Sequence, residues 1–411
     1  MVNLTTFGFA LKQHYTSDPV KASTYKDQPG LSMLRQETDT NWRGSVLPVP
    51  VIYGANQGVS ATFANAQGNI SGVAGISFQL TRGQVYGVSQ IDRLTLMASD
   101  AAPDDAWLKA RLAEMEETRN QILNELSFQL YNDGTGSRSQ VSSGATAGLA
   151  TITLSNSSDV VRFFPNQVLV MGPNENGTSL RTGSATVLGV NRNAGTITFS
   201  AALNTLITGA SDNDYFFLQG SVGTTLNFTG LAGWLPFTAP SSTDSFFGTN
   251  RSIDSGLYGT IYDGSSEEIQ EALIDGLETI ERIGGGTPDV VLMNNIQFAK
   301  LKKSMGTQVR YMDVEAKAVE GLSFKAIEVF ASKGPVAVLP DRMAPPNYAY
   351  ALETEDWAVK STGEVPDLVS EDGVTMLRVY NADAFEIRQA AYGNFRCEVP
   401  AHSGVIKLQY P

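Results

Sequence analysis

The chain has 411 residues, with 42 acidic against 29 basic side chains, a net charge of −13 and a sequence pI near 4.7; a general nucleic-acid binder needs a basic footprint, so that class is disfavoured. The single cysteine excludes an internal disulfide framework, and with only two histidines it excludes a Cys/His zinc site. Charged residues are 17%, against the ~25% usual for soluble domains, so much of the surface is uncharged and suited to burial against neighbours.

The length is enough for two or three domains with substantial cores and no covalent staples. No apolar run approaches the ~18–20 residues of a membrane span, and MVNLTTFGFALKQHY lacks the basic start and long apolar run of a secretory signal. A membrane is therefore not an expected partner.

Residues 1–45 form an irregular N-terminal arm. Pro19, Pro29 and Gly30 punctuate it, and Phe7, Phe9, Tyr15, Tyr25 and Trp42 are scattered without period. Such a segment cannot hold one shape alone, and its aromatics suggest that it lies on something else. Residues 46–100 read as an extended β-hairpin loop. VLPVPVIYG and GISFQLTRGQVYGVSQIDRLTLMAS are strand-like, and the small, polar GVSATFANAQGNISGVAG joins them. Only Arg82, Asp92, Arg93 and Asp100 are charged there. A hairpin this uncharged invites aggregation unless a partner or a larger sheet covers it.

Within 101–134, residues 103–133 predict the longest helix. Asp100, Asp104 and Asp105 crowd its start, Pro103 suits its first turn, and Leu108, Leu112, Met115, Ile122 and Leu126 recur at helical steps. Glu114, Glu116, Glu117 and Arg119 occupy other positions, and Asn132-Asp133-Gly134 supplies the stop. Such a helix would be ~43 Å long at 1.5 Å per residue.

Residues 135–230 hold six strand-like runs, at 150–154, 160–164, 167–171, 185–190, 195–200 and 214–218, separated by Asn/Gly/Pro turns. They predict a small antiparallel β-barrel or sandwich inserted between helix-bearing segments. Residues 231–340 read as a linker followed by an α+β unit. Ser265 and Glu268 predict a capping box, Ile269, Leu273, Leu277 and Ile280 an apolar face, and Gly284-Gly285-Gly286 a stop. PDVVLMNN is a buried strand, a helix follows near 295–305, and 341–411 is strand-rich.

Chemical motifs are weak. The glycine triplet ends a helix, whereas a phosphate loop runs from strand to helix. Cys397 and His402 sit in a strand-and-turn context with no nucleophile elbow, so a structural cysteine is expected. Asp212-Asn213-Asp214 lacks the glycine and distal glutamate of an EF-hand loop and reads as a solvated turn. Lys300, Lys302 and Lys303 complement a helix C-terminus. No enzymatic constellation and no cofactor follow from these residues.

The order of parts is more informative: irregular arm, uncharged hairpin, long helix, α+β unit, strand-rich end. With PDVVLMNNIQFAKLKK (288–303), Asp383-Ala384-Phe385-Glu386-Ile387-Arg388, Cys397-Glu398-Val399-Pro400 and Val405-Ile406, it resembles the major capsid proteins of tailed bacteriophages, the Hong-Kong-97-like fold also seen in encapsulins. The resemblance implies an α+β chain with N-arm (1–45), extended loop (46–100), spine helix (101–134), axial domain (within 231–340) and peripheral domain (341–411), with 135–230 as an extra β-domain. It implies self-assembly through hexamers and pentamers into an icosahedral shell around double-stranded DNA. It also implies a location in the virion after synthesis in the bacterial cytoplasm, and scaffold, portal and decoration proteins as further partners. Subunit-interface candidates are Trp42, Tyr53, Arg82, Tyr86, Arg93, Glu116, Glu117, Arg119 and Arg388. An encapsulin-like nanocompartment and a β-rich surface or adhesin protein are the alternatives. Some members of the resembled family join a loop lysine to a neighbour's asparagine; residues 46–103 contain no lysine, so a covalently linked loop is not expected.

Overall fold

The structure is a computed structural model that describes residues 28–38, 42, 44–55, 57–95, 97, 110–144, 147–306, 309–315, 317, 323–370 and 374–409. Two mixed sheets share one apolar core. The elements that build them are α1 (Pro29–Met33), β1 (Arg35–Thr38), β2 (Val46–Gly54), β3 (Ala74–Thr81), β4 (Gly83–Asp92) and α2 (Ala110–Leu130). After the segment 137–218 come β5 (Thr260–Asp263), α3 (Ile269–Gly284), β6 (Val290–Met293), α4 (Asn295–Met305), β7 (Tyr311–Glu315), β8 (Ser323–Ala331) and β9 (Gly334–Pro340). The chain closes with β10 (Tyr348–Leu352), β11 (Trp357–Ser361), β12 (Ala384–Cys397) and β13 (Gly404–Lys407).

The first sheet has seven strands in the order β5-β13-β10-β6-β9-β8-β7. Period-two alternation divides its residues between two faces. Val291, Met293, Val336, Val338, Ala349, Ala351 and Ile406 pack with Ile269, Leu273, Leu277 and Ile280 of α3. Val290, Leu292, Ala337, Leu339, Tyr350, Leu352 and Val405 belong instead to the main core, with Trp234 and Trp357. The apolar face predicted for α3 is thus the face it buries. Its start differs: α3 begins after Glu268, and Ser265 donates to Asp263 rather than capping the helix.

The second sheet centres on β12. It pairs with β11 on one side and with β4 over ten residues, from Ala384 opposite Asp92 to Gly393 opposite Gly83. Residues 83–92, expected within the hairpin loop, therefore belong to this sheet, and the hairpin is β2 with β3 alone. The charge-poor strand needed a covering partner, and the C-terminal strand supplies it.

Residues 28–38 do not lie away from the subunit as expected for the arm. Leu31, Met33 and Leu34 are buried in the main core, and β1 pairs in parallel with β11. The anchor is Asp341, just beyond β9, which is 2% exposed. Its Oδ2 accepts from the Gly30 N–H at 3.1 Å and the Tyr131 hydroxyl at 2.9 Å, and its Oδ1 from the Met343 N–H at 2.9 Å. Burial, the largest influence, holds this carboxyl above its ordinary value although the three donors pull the other way. Only glycine fits at position 30, where a Cβ would stand 2.3 Å from the Tyr131 hydroxyl. Alongside, the Gln28 and Arg342 side chains both donate to Asn124 Oδ1 of α2, at 2.9 and 3.0 Å.

The described part of the long helix, α2, has 21 residues, or ~31 Å; residues 103–109 of the predicted helix lie outside the described residues. Ile122, Leu126 and Leu130 bury one stripe, and Asn132 ends the helix as expected, accepting from the Gly134 and Gly136 N–H groups.

Between 137 and 218, Ser137–Gln140, Tyr215–Leu218, Val168–Gly172 and Ala185–Thr186 form a four-stranded sheet, and Gly189–Asn191, Thr196–Thr198 and Thr151–Thr153 a three-stranded one. They enclose their own apolar cluster, including Ile152, Phe163, Leu169, Met171, Ile197 and Phe216. The strand expected at 160–164 does not form: residues 157–162 make a 3-10 helix, Ser157–Arg162, because the Asn156 side chain accepts from the Ser158 N–H and starts a turn. Asp214, expected in a solvated turn, is buried and takes a two-point contact from Arg181.

This segment is pinned to α2 by charge. Arg138, with its side chain 2% exposed, pairs with Glu125 of α2. Arg138 and Arg162 exchange hydrogen bonds to each other's carbonyl oxygens at 2.7 Å, Arg162 also pairs with Asp159 at 3.2 Å, and both guanidinium groups lie over the Phe128 ring.

Two outcomes follow from these buried groups. Asp341→Ala strips three donors of their acceptor in a dry site, and the free subunit should lose about 3–5 kcal/mol, read as a lower urea-unfolding midpoint; a loss under about 1 kcal/mol contradicts the anchor. Glu125→Ala leaves the Arg138 guanidinium buried without its partner. Hydrogen exchange should then quicken across 137–218 while β6 and β10 keep their protection, and equal exchange in both regions would show that the pair does not hold the segment.

Candidate assembly surfaces

The hairpin presents two faces. Val49, Val51, Phe78 and Leu80 point into the main core, where Phe78 meets Trp234 edge-on at 5.2 Å. Val46, Pro48, Pro50 and Ile52 alternate with them and face outward. The base of the hairpin thus belongs to its own subunit, and the unsatisfied apolar surface is concentrated toward the tip. Val59 is 86% exposed, Phe63 82%, Ile70 69% and Val73 58%, around the short helical turn Phe63–Gly68. Apolar side chains gathered at a projecting tip mark a contact surface.

The hairpin edges do not invite strand addition. On β3, the Gln79 N–H points outward to the Phe247 carbonyl at 3.0 Å, and the Ser77 carbonyl accepts from Thr249. Their cross-strand partners on β2 are Pro48 and Pro50. Both prolines therefore sit where an N–H would face the open edge, and neither has one. One edge is taken by the chain's own loop and the other lacks two successive donors, so the exposed tip offers side chains rather than a continuous backbone template.

The candidate interface residues divide into two groups. Trp42 is 4% exposed within the main core, and Arg82 closes over it, with its guanidinium 5.3 Å from the ring centroid and Nη2 donating to the Trp42 and Gly44 carbonyls. Tyr53 packs partly buried against the same core. These three act within the subunit. Tyr86 is 58% exposed on β4, edge-on to Tyr392, with exposed Val88 two residues along the same face. Arg388 pairs with Glu386 two residues away on β12, the strand beside β4. Arg93 holds only a loose contact to Asp383 at 3.7 Å. On α2, Glu116 and Arg119 are exposed, while Glu117 accepts from Gln121. The structure thus brings Tyr86 and Arg388 onto one sheet and leaves Glu116 and Arg119 on the outer side of the helix that packs there.

Other motifs resolve into structure. Cys397 is fully buried and burial pushes its thiol well above the ordinary value, which removes it as a nucleophile. The glycine triplet ends α3 with Gly285 at φ +75°. Lys302 lies over the Tyr311 ring from the last turn of α4. No helix among the described residues is long and apolar enough to cross a membrane. A cleft of about 510 Å³ separates the 137–218 segment from the body, between Asp159, Glu175 and Tyr215 on one side and Phe237 and Tyr348 on the other. Sequence reading missed Asp341 and Arg138, since the patterns around them give no sign of partners about two hundred residues or one helix away.

The chain matches no protein-family model and no curated protein. Among solved structures it is similar to the chain of the cyanophage A-1(L) capsid asymmetric unit, with 12% identity, 95% of each chain covered and a TM-score of 0.58. The holo-SrpI encapsulin complex from Synechococcus elongatus PCC 7942 aligns at 9% identity over 100% of this chain and 95% of that one, with a TM-score of 0.46. The capsid of Myoviridae phage XM1 aligns at 8% identity over 96% and 94%, with a TM-score of 0.43. The chain has the mixed α/β fold of the cyanophage capsid chain across nearly its whole length.

Proposed function

We propose that this chain is the shell-forming subunit of an icosahedral capsid, the major capsid protein of a tailed bacteriophage, assembling through hexamers and pentamers around double-stranded DNA. The observation that carries this reading is the fold shared over 95% of both chains with a phage capsid protein. The exposed apolar tip supports it, because Val59, Phe63 and Ile70 suit a groove on a second copy of the chain. The net charge of −13 suits a container for packed DNA, since a wall that gripped phosphates would hinder packing and release. In this reading 135–230 is an inserted β-domain on the shell's outer side, where decoration proteins would dock, and Tyr86, Arg93, Glu116, Glu117, Arg119 and Arg388 line subunit contacts. Trp42, Tyr53 and Arg82 brace the base of the hairpin that crosses to the neighbour.

Purified protein should sediment as closed particles far larger than the 44.1 kDa subunit, and persistence as monomer at high concentration contradicts the proposal. Nuclease-resistant double-stranded DNA in particles from infected cells separates a virus from a cargo nanocompartment, which would hold protein instead. Phe63→Asp should abolish or sharply cut particle yield while leaving the subunit's melting temperature unchanged, because the side chain touches little of its own chain. Undiminished assembly would remove the tip from the interface. Boiled in detergent, mature particles should run as one band at the monomer mass, since 46–103 offers no lysine amine. A ladder of larger species would show a linkage made elsewhere.

A further inference from the structure

Away from the hairpin and α2, three ligand-type atoms from two turns converge. His402 Nδ1 lies 2.7 Å from Asp356 Oδ2 and 3.7 Å from Glu353 Oε2, and the three ligand-type atoms lie within 4.8 Å of one another. Glu353 follows β10, Asp356 precedes β11, and His402 ends the 3-10 turn Pro400–His402 that leads into β13. All three are half-buried.

The glycine triplet, which no phosphate-binding role explains, builds this meeting point. A Cβ on Gly284 would stand 1.8 Å from the Ala401 carbonyl oxygen, and one on Gly286 2.3 Å from the His402 Cα. Without side chains there, the 400–402 turn settles on the end of α3 and delivers the imidazole to the two carboxylates. The next residue, Thr287, donates its N–H to Glu353 Oε2 at 2.8 Å and orients that carboxylate. Ser403 Oγ accepts from the Trp357 indole at 3.0 Å, which fixes the turn from beneath. The outcome is one imidazole nitrogen and two carboxylates sharing a half-buried site, held by hydrogen bonds from outside it. Ligands with oriented supports are characteristic of built metal sites.

We propose that Glu353, Asp356 and His402 form a binding site for a divalent transition-metal cation of the zinc or manganese class, through Nδ1 and one oxygen of each carboxylate. Ligands held ~2.0–2.2 Å from one ion stand ~3.0–3.5 Å apart, and the two separations to Nδ1 bracket that range. The imidazole selects against calcium and magnesium, which take oxygen donors. Water fills the remaining positions, and the ion ties the β10–β11 turn to the C-terminal turn. This site does not depend on the shell reading.

Chelator-treated protein titrated calorimetrically with Zn²⁺ should show one saturable site per chain, unaffected by excess Mg²⁺. His402→Ala and Asp356→Asn should each weaken it by at least about tenfold. His14→Ala, which removes the only other histidine, should leave it intact. Absence of saturable binding, or equal affinity in His402→Ala, overturns the proposal. Should His402→Ala fail to fold, Glu353→Gln decides, because its amide oxygen can still accept from Thr287: unchanged affinity in that variant also overturns it.

Discussion

The subunit depends on one buried carboxylate. Asp341 receives the Gly30 N–H, the Tyr131 hydroxyl and the Met343 N–H, and so joins the start of the described chain, the end of α2 and the end of an inner strand of the seven-stranded sheet. An unpaired charge there would be intolerable, and each donor alone would be an orphan in a dry core. The three segments are consequently interdependent. Placing α1 against Asp341 sets Leu31, Met33 and Leu34 into the core and directs β1 alongside β11. Placing Tyr131 there fixes where α2 stops, and hence where the chain departs toward 137–218.

From that fixed body, surface chemistry sorts into what serves the subunit and what faces away. Arg82 over Trp42, and Phe78 against Trp234, seat the hairpin base. Pro48 and Pro50 deny donors to its open edge, which restrains indiscriminate strand pairing. In the proposed shell, what remains for a neighbour is an apolar tip, so recognition there rests on shape and burial rather than on a backbone template. In that proposed assembly the low charge content of the whole chain has the same logic, since a surface buried between copies cannot carry many ions without paired partners.

The sequence was legible where order is local and periodic. The apolar stripe of α3, its glycine stop, the buried PDVVLMNN strand and the Asn132-Asp133-Gly134 stop all depend on neighbours within a few residues. Pairing across long distances was not legible. Residues 83–92 looked like a hairpin arm because nothing near them announces 384–393 as their partner. The five-residue α1 is too short to show a period, and its stability comes from Asp341, 311 residues away from Gly30. Val160 and Phe163 have strand-like composition, but Asn156 captures the backbone first. Of the interface candidates, the aromatic Trp42 pointed to a contact that the chain makes with itself. Cys397 and His402 drew attention as a pair, whereas the imidazole faces two acids that chain order keeps 46 and 49 residues away.

In the proposed assembly, copies of this chain close into a shell through the hairpin tip. Electron cryomicroscopy of the assembled protein tests it most directly. The expected result is an icosahedral reconstruction in which density for the 55–73 tip lies against an adjacent subunit, with Phe63 buried at the junction. Particles lacking closed symmetry, or a shell in which every Phe63 faces solvent, would contradict it.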